Sequence, residues 1–274
     1  MTKMADLPIP DSLYNWICDF LGGRQHYTKF QSSVSPLAPI NAGVIQGSAL
    51  GPATFLICAS DLQALTPGNK TGKYADDVYV LVPSVNASSI PAELTHIKSW
   101  ASDNNLKLNS SKSYEIIFKK PRSRIPDPPL TPGLNRVQSL KVLGVTLQSN
   151  FSMSEHVDNL VSKAGQTLYA LKTLQSNGLA SQLLHNVCKA TLISRSVYAS
   201  PAWRGFASQQ DLSRIQAVYN RATRWGLCNL PRNELEIICN KTDNKFFNKI
   251  QSNESHVLHR FLPPQTGYAL QLKS

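Results

Sequence analysis

Lys73-Tyr74-Ala75-Asp76-Asp77-Val78-Tyr79-Val80-Leu81-Val82 sets two aspartates side by side inside an apolar, β-prone run. The pattern predicts two short strands over residues 72–83 with the aspartates at the turn. Two carboxylates pressed together repel, so ionising both is costly unless a cation is near. A hairpin tip holds them in place and exposes them. That arrangement suits presentation of a carboxylate to a pair of divalent metals roughly 3.5–4 Å apart during phosphoryl transfer. Magnesium takes such oxygen donors together with phosphates and water. The plain alternative is a solvated turn, since Asp is a favoured turn residue.

Upstream, Gly43-Val44-Ile45-Gln46-Gly47-Ser48-Ala49-Leu50-Gly51-Pro52 is a glycine-rich approach to a helix expected from Ser48 to about Leu65. Glycines let backbone approach a ligand closely. The start of the helix offers amide hydrogens and positive dipole to phosphate or sugar. Gln46 is a candidate hydrogen-bonding partner for a nucleotide or template. The alternative here is a Gly/Pro turn before an ordinary core helix.

Further out, Leu13, Trp16, Ile17, Phe20 and Leu21 share one face of a helix over 11–21, stopped by Gly22-Gly23. Residues 26–46 read as extended, a helix covers about 91–104, and strands are expected near 106–108, 114–118 and 137–147. Five prolines between Pro121 and Pro132 mark a loop or boundary. After residue 150 only helices are expected. One carries Val157, Leu160, Ala164, Leu168 and Leu171. A second carries Leu183 to Ile193. The third carries Leu212 to Ala222 and is opened by Ser208 with Asp211 three residues on. The fold class is therefore α+β followed by an all-helical region. The expected domains are 1–149, 150–230 and a C-terminal tail, 231–274, of unassigned structure.

Composition bounds the function. The 274 residues carry a net charge of +11, which suits a polyanionic partner such as nucleic acid. No apolar run approaches the roughly 18 residues of a membrane span, and no secretory signal is expected at the start. Five scattered cysteines without a CxxC pair read as reduced thiols. Cys228, Cys239, His256 and His259 fit no common zinc module. The expected setting is intracellular, cytoplasmic or nuclear, with no membrane partner.

The two segments, in this order, resemble motifs B and C of reverse transcriptases of non-LTR (LINE-type) retrotransposons, in the wording QGSALGP…FLICASDL and YADDVYVLVP. The likeness runs on. Leu7 to Arg24, with Trp16-Ile17 and Phe20-Leu21, resembles the helix before motif B. Leu106 to Lys112 resembles motif D, Leu140 to Leu147 the segment by the primer grip, and His156 to Trp225 the thumb. It covers roughly residues 7–228.

The resemblance implies a partial polymerase palm (a split βαβ sheet with helices) and a helical thumb, catalysing RNA-directed DNA synthesis by a nucleotidyltransferase mechanism. Asp76 would ligate catalytic Mg2+ in a two-metal site, Asp77 would support it electrostatically, and Lys112 would protonate the leaving pyrophosphate. Tyr74 and Ala75 would line the primer end and incoming nucleotide. Gln46, Gly47 and Ser48 would touch nucleotide and template. Lys119, Lys120, Arg122, Arg124, Arg214, Arg221 and Arg224 are candidate phosphate contacts. RNA template, DNA primer and deoxynucleoside triphosphates are the implied partners; protein partners stay open. Ile45 stands where the family usually has proline. The motif A aspartate is expected upstream of Leu7 and is not found, so the chain is expected to be a truncated fragment with an incomplete metal site, inactive alone. The competing expectations are a non-catalytic RNA/DNA-binding remnant and a partner-completed subunit.

Overall fold

A computed structural model describes residues 2–40, 43–45, 47–120, 122, 124–229, 231 and 233–263. The chain divides into two compact units. One comprises Met1–Glu115 with Asp127–Asn135; the other comprises Ile116–Pro126 with Arg136–Ser274. The fold is mixed α+β, and every ladder is two-stranded among the described residues.

The first unit opens with α1 (Thr2–Ala5) and α2 (Asp11–Leu21), the latter with the predicted limits. The Gly22 amide reaches back to the Cys18 and Asp19 carbonyls and closes α2. The extended stretch after it resolves into two small antiparallel pairs. β1 (Gln25–His26) pairs with β4 (Ala38–Pro39), and these enclose β2 (Lys29–Phe30) with β3 (Ser33–Val34). Next come α3 (Leu50–Cys58), β5 (Lys70–Tyr74) and β6 (Asp77–Leu81), α4 (Ile90–Asp103) and β7 (Tyr114–Glu115). Two expectations fail. Residues 106–108 form no strand, and the strand expected at 114–118 keeps only its first two residues.

Helix α3 also stops well short of Leu65. The carbonyls at its last residue and just past its end are taken by cations from elsewhere. Lys3 Nζ donates to the Cys58 carbonyl at 2.7 Å. Lys73 Nζ donates to those of Ala59, Ser60 and Leu62 at 2.6, 3.2 and 2.9 Å. Cations at a helix C-terminus meet both its unpaired acceptors and its negative dipole. Burial lowers the Lys73 pKa, the Lys3 charge adds to that, and Asp61 opposes it.

Glu93, in the first turn of α4, clips the loop that follows α3. Its carboxylate accepts from the Leu65 and Thr66 amides and from Asn69 Nδ2, at 2.7–2.9 Å. Burial opposes its ionisation, but the donors from Leu65, Asn69 and Thr66 outweigh burial and hold the carboxyl at about 2.

After β8 (Asn135–Arg136), the second unit contains the predicted strand pair as β9 (Ser139–Val142) and β10 (Val145–Gln148). Leu143 and Gly144 turn between them with φ of 47° and 90°, the double positive φ of a type I′ hairpin turn. A Cβ at Gly144 would lie 2.9 Å from Tyr198 Cε1, and Tyr198 Oη donates to the Leu143 carbonyl at 3.0 Å. The tyrosine can close on the turn because no side chain stands there.

Six helices follow: α5 (Ser154–Ser176), α6 (Ser181–Cys188), α7 (Ser194–Val197), α8 (Ser200–Trp203), α9 (Gln209–Arg224) and α10 (Glu234–Ser252). A wide five-residue turn, Lys189–Ile193, joins α6 to α7. The predicted stripe of α5 is buried, and it packs with Leu184, Leu192, Trp203, Ile215, Val218, Tyr219 and Leu227 into one apolar cluster. Ser208 and Asp211 form the predicted capping box of α9. The tail, left unassigned from sequence, carries α10. Cys188 and Cys228 lie buried and free within the core; their mutual hydrogen bond, then burial, raises the Cys188 thiol well above the ordinary range.

Candidate functional site

The aspartate hairpin is built by its register. Tyr74 stands opposite Asp77, and Lys73 opposite Val78, which leaves Ala75 and Asp76 as a two-residue loop. Ala75 has φ of 49°, while Asp76 is not among the residues with positive φ. Positive φ at the first loop residue alone is what a type II′ turn requires, usually met by glycine. An alanine there stores strain of order 1–2 kcal/mol. Strain of this kind concentrates where a turn must aim a functional group.

Both carboxylates are solvent-exposed, as is Tyr74. Tyr79, two residues past Asp77, donates its hydroxyl to Asp77 Oδ2 at 3.2 Å. Burial raises the Tyr79 pKa first; the bond to Asp77 and the charges of Asp77 and Asp76 raise it further. Tyr79 thus remains a donor and fixes Asp77. No donor among the described residues is bonded to the Asp76 carboxylate, so its oxygens remain available. Exposed hard oxygens on a strained turn suit a magnesium ion that keeps water and phosphate ligands. Among the described residues no group of three or more His, Cys, Asp or Glu side chains stands together, so the pair could supply only part of a metal's ligands.

Lys73 connects the hairpin to the glycine-rich segment. It lies on β5 beside the turn and holds the C-terminal end of α3, while the glycine-rich segment enters the other end. At that entrance Ser48 Oγ donates to the Ile45 carbonyl and accepts from the Gly51 amide, at 2.9 and 3.0 Å. A Cβ at Gly51 would lie 3.2 Å from the Ile45 carbonyl oxygen, so glycine permits the tight fold. Arg24 Nη2 donates to the Gly43 carbonyl at 2.7 Å and ties this segment to the end of α2. Gly47 has φ of 82° and is exposed. Gln46 lies outside the described residues.

The remaining candidates fall in several places. Lys112 ends a short turn, Ser110–Lys112, and is exposed; no hydrogen bond or ion pair among the described residues joins it to Asp76 or Asp77. In the second unit, Lys119 donates to the Ile125 carbonyl, while Lys120, Arg122 and Arg124 are exposed. Arg214 is held by Asp158, to which it donates in a short contact, and by Asp211. The bond to Asp158 is the main reason that its pKa is raised. Arg221 and Lys172 both lie over the Trp225 ring, at 5.9 and 5.1 Å from its centroid, and Arg224 is exposed. Cys228 and Cys239 are buried, and His259 Nδ1 lies 2.8 Å from the Ile250 carbonyl.

Sequence reasoning missed Lys3, Lys73 and Glu93. Lys73 carried a signal: a lysine on the strand that leads directly into the aspartates.

Residues 1–147 match the family described as "Reverse transcriptase (RNA-dependent DNA polymerase)". The chain belongs to that reverse transcriptase family. Its relatives include "RNA-directed DNA polymerase from mobile element jockey" of Drosophila melanogaster, 28% identical over 230 residues, covering 78% of this chain and 25% of the relative. "Probable RNA-directed DNA polymerase from transposon X-element" of the same species is 28% identical over 230 residues, covering 79% and 25%. "Probable RNA-directed DNA polymerase from transposon BS" is 26% identical over 234 residues, covering 78% and 25%. The reverse transcriptase chain thus spans about a quarter of the length of these curated relatives. No solved structure matches it. No helix among its described residues is long and apolar enough to cross a membrane.

Proposed function

We propose that the chain carries the catalytic hairpin of an RNA-directed DNA polymerase of a non-LTR retrotransposon, with residues 1–149 as part of the palm and 150–230 as the thumb. The observation that supports this most is the strained Ala75–Asp76 turn, which exposes two adjacent carboxylates in a chain of this family.

In this reading Asp76 is the magnesium ligand. Magnesium would stabilise the attacking primer 3′-hydroxyl and the leaving oxygen at the α-phosphate. Asp77, fixed by the Tyr79 hydroxyl, adds negative potential beside it. Tyr74 and Ala75 flank the primer end. Gly47 and Ser48 face the nucleotide and template, a contact that the resemblance also assigns to Gln46, and Lys112 supplies a proton to pyrophosphate. A further carboxylate from outside the hairpin completes the ligand set.

Primer extension on an RNA template with magnesium tests this, using the chain alone and joined to the reading frame upstream of it. Extension by the joined form should fall at least about 100-fold on Asp76→Asn, since lesser disturbances around a metal already cost about 10–100-fold. Undiminished extension would remove Asp76 from the mechanism.

A second reading is a non-catalytic RNA/DNA-binding protein, favoured by the net charge of +11 and the exposed Lys120, Arg122 and Arg124. It predicts salt-dependent binding to an RNA–DNA hybrid that survives Asp76→Ala.

A further inference from the structure

Three phenylalanines from distant parts of the second unit form a layered stack on its surface. Phe118 and Phe151 have ring centroids 4.7 Å apart with planes inclined by 21°. Phe151 and Phe206 lie 6.3 Å apart, inclined by 24°. The rings stay wet: Phe118 is 40% exposed, Phe151 48% and Phe206 60%. Phe151 also holds φ of 61°, a left-handed conformation that is an outlier for a bulky side chain. The turn is fixed by the bond from its amide to the Gln148 carbonyl at 2.8 Å. The loop therefore stores strain to keep an apolar ring near-parallel to two others in water.

Burial does not explain that outlay. Apolar rings left this exposed gain only part of their transfer free energy. Near-parallel aromatic faces open to solvent are instead what a planar, aromatic ligand needs. The charge beside them narrows the ligand further. Phe118 is followed directly by Lys119 and Lys120, then by Arg122 and Arg124, with no acidic residue until Asp127. Lys120, Arg122 and Arg124 are exposed. A basic segment that starts at the residue after one of the stacked rings matches a phosphate backbone bearing unpaired bases. Duplex nucleic acid keeps its bases stacked on one another and offers such a face only at its ends.

The geometry points to a single-strand binding platform, in which Phe206 and Phe118 present the outer faces for base stacking and Lys120, Arg122 and Arg124 carry the backbone. It shares with the polymerase reading only the assignment of that basic segment to nucleic acid, and it needs neither metal nor the aspartate hairpin.

Fluorescence anisotropy in EDTA, without nucleoside triphosphates, tests it on the full chain. The probes are a labelled oligothymidylate, an abasic strand of equal length and a blunt duplex. The unaltered chain should prefer oligothymidylate to the abasic strand. Phe206→Ala should weaken oligothymidylate binding about tenfold, as expected for losing one stacked base, and leave abasic-strand binding unchanged. Phe206→Leu keeps an apolar side chain of similar size and should behave like Phe206→Ala. Phe206→Trp should keep the preference, and its added indole emission should be quenched by the oligothymidylate. Equal affinity of the unaltered chain for base-bearing and abasic strands would overturn the proposal. So would Phe206→Leu binding as well as the unaltered chain, or self-association abolished by Phe206→Ala without any base-dependent binding. Failure of primer extension would leave all of these readings intact.

Discussion

The two units hold themselves together by different means. The helical unit has a continuous apolar core from Val157 through Leu168 and Leu192 to Leu227. The hairpin unit buries few large apolar side chains, chiefly Met4, Ile17, Leu62 and Ile97, and leaves Leu7, Trp16, Leu37, Leu56, Leu65 and Leu81 exposed. In place of a thick core it uses charged groups that satisfy backbone: Lys3 and Lys73 on carbonyls, Glu93 on amides, Arg24 on Gly43. An apolar core depends less on charge and is intolerant of lost volume. A clipped unit behaves the other way round.

The contrast can be broken most forcefully in the core. Leu168→Ala should cost the helical unit about 3–4 kcal/mol, within the usual range for a fully buried leucine, and hydrogen exchange should show lost protection in α5 and α9 with little change in α4. Equal loss in both units would remove the contrast between them.

Glu93→Gln should cost the hairpin unit about 2–3 kcal/mol, because buried amides lose a charged acceptor. The same residue sets an acid limit. Its carboxyl lies at about 2 in the folded chain against 4.5 ordinarily. Its contribution is therefore complete above about pH 4.5 and vanishes as pH falls through 2. Exchange at the Leu65 and Thr66 amides, followed against pH, checks both statements.

Lys73→Met should cost about 1–2 kcal/mol through three carbonyls left without their cation, and should fray the end of α3 ahead of its start.

The helical unit has its own, milder response to acid. His156 is buried, accepts from the Thr146 amide and lies edge-on to Trp203. Burial, then the Lys141 charge, lowers its pKa from 6.5. Its contribution is intact above pH 6.5 and declines below it, as the unfolded chain binds the proton more readily. Thermal melts of His156→Phe should lose that slope below pH 6.5.

The smallest effect belongs to the turn. Ala75→Gly should stabilise the hairpin by about 1 kcal/mol by removing the left-handed penalty; destabilisation would mean that Ala75 is unstrained.

Legibility followed the distance over which each element is determined. α2, α5 and α9 were readable because their apolar spacing and caps are local: Gly22-Gly23 ends the first, and Ser208 with Asp211 opens the last. The aspartate hairpin was readable for the same reason. The end of α3 was not, because Leu62 and Leu65 continue an apolar pattern and the carbonyls that terminate it are captured by Lys3 and Lys73. α10 hides its spacing of Leu235, Ile238, Cys239, Phe246 and Ile250 among asparagines that favour turns. The phenylalanine stack draws on three separate segments and has no local signature.

Helix α3 has one further consequence. Its nine residues, about 13.5 Å at 1.5 Å per residue, are gripped at both ends, by the glycine segment at one and by the lysine of the aspartate strand at the other. It therefore acts as a spacer of fixed length and phase. One inserted residue would swing its far end by about 100° and misalign the two segments, however helix-prone the insertion. Substitutions along its exposed face can drift freely, while insertions and deletions within it should be purged.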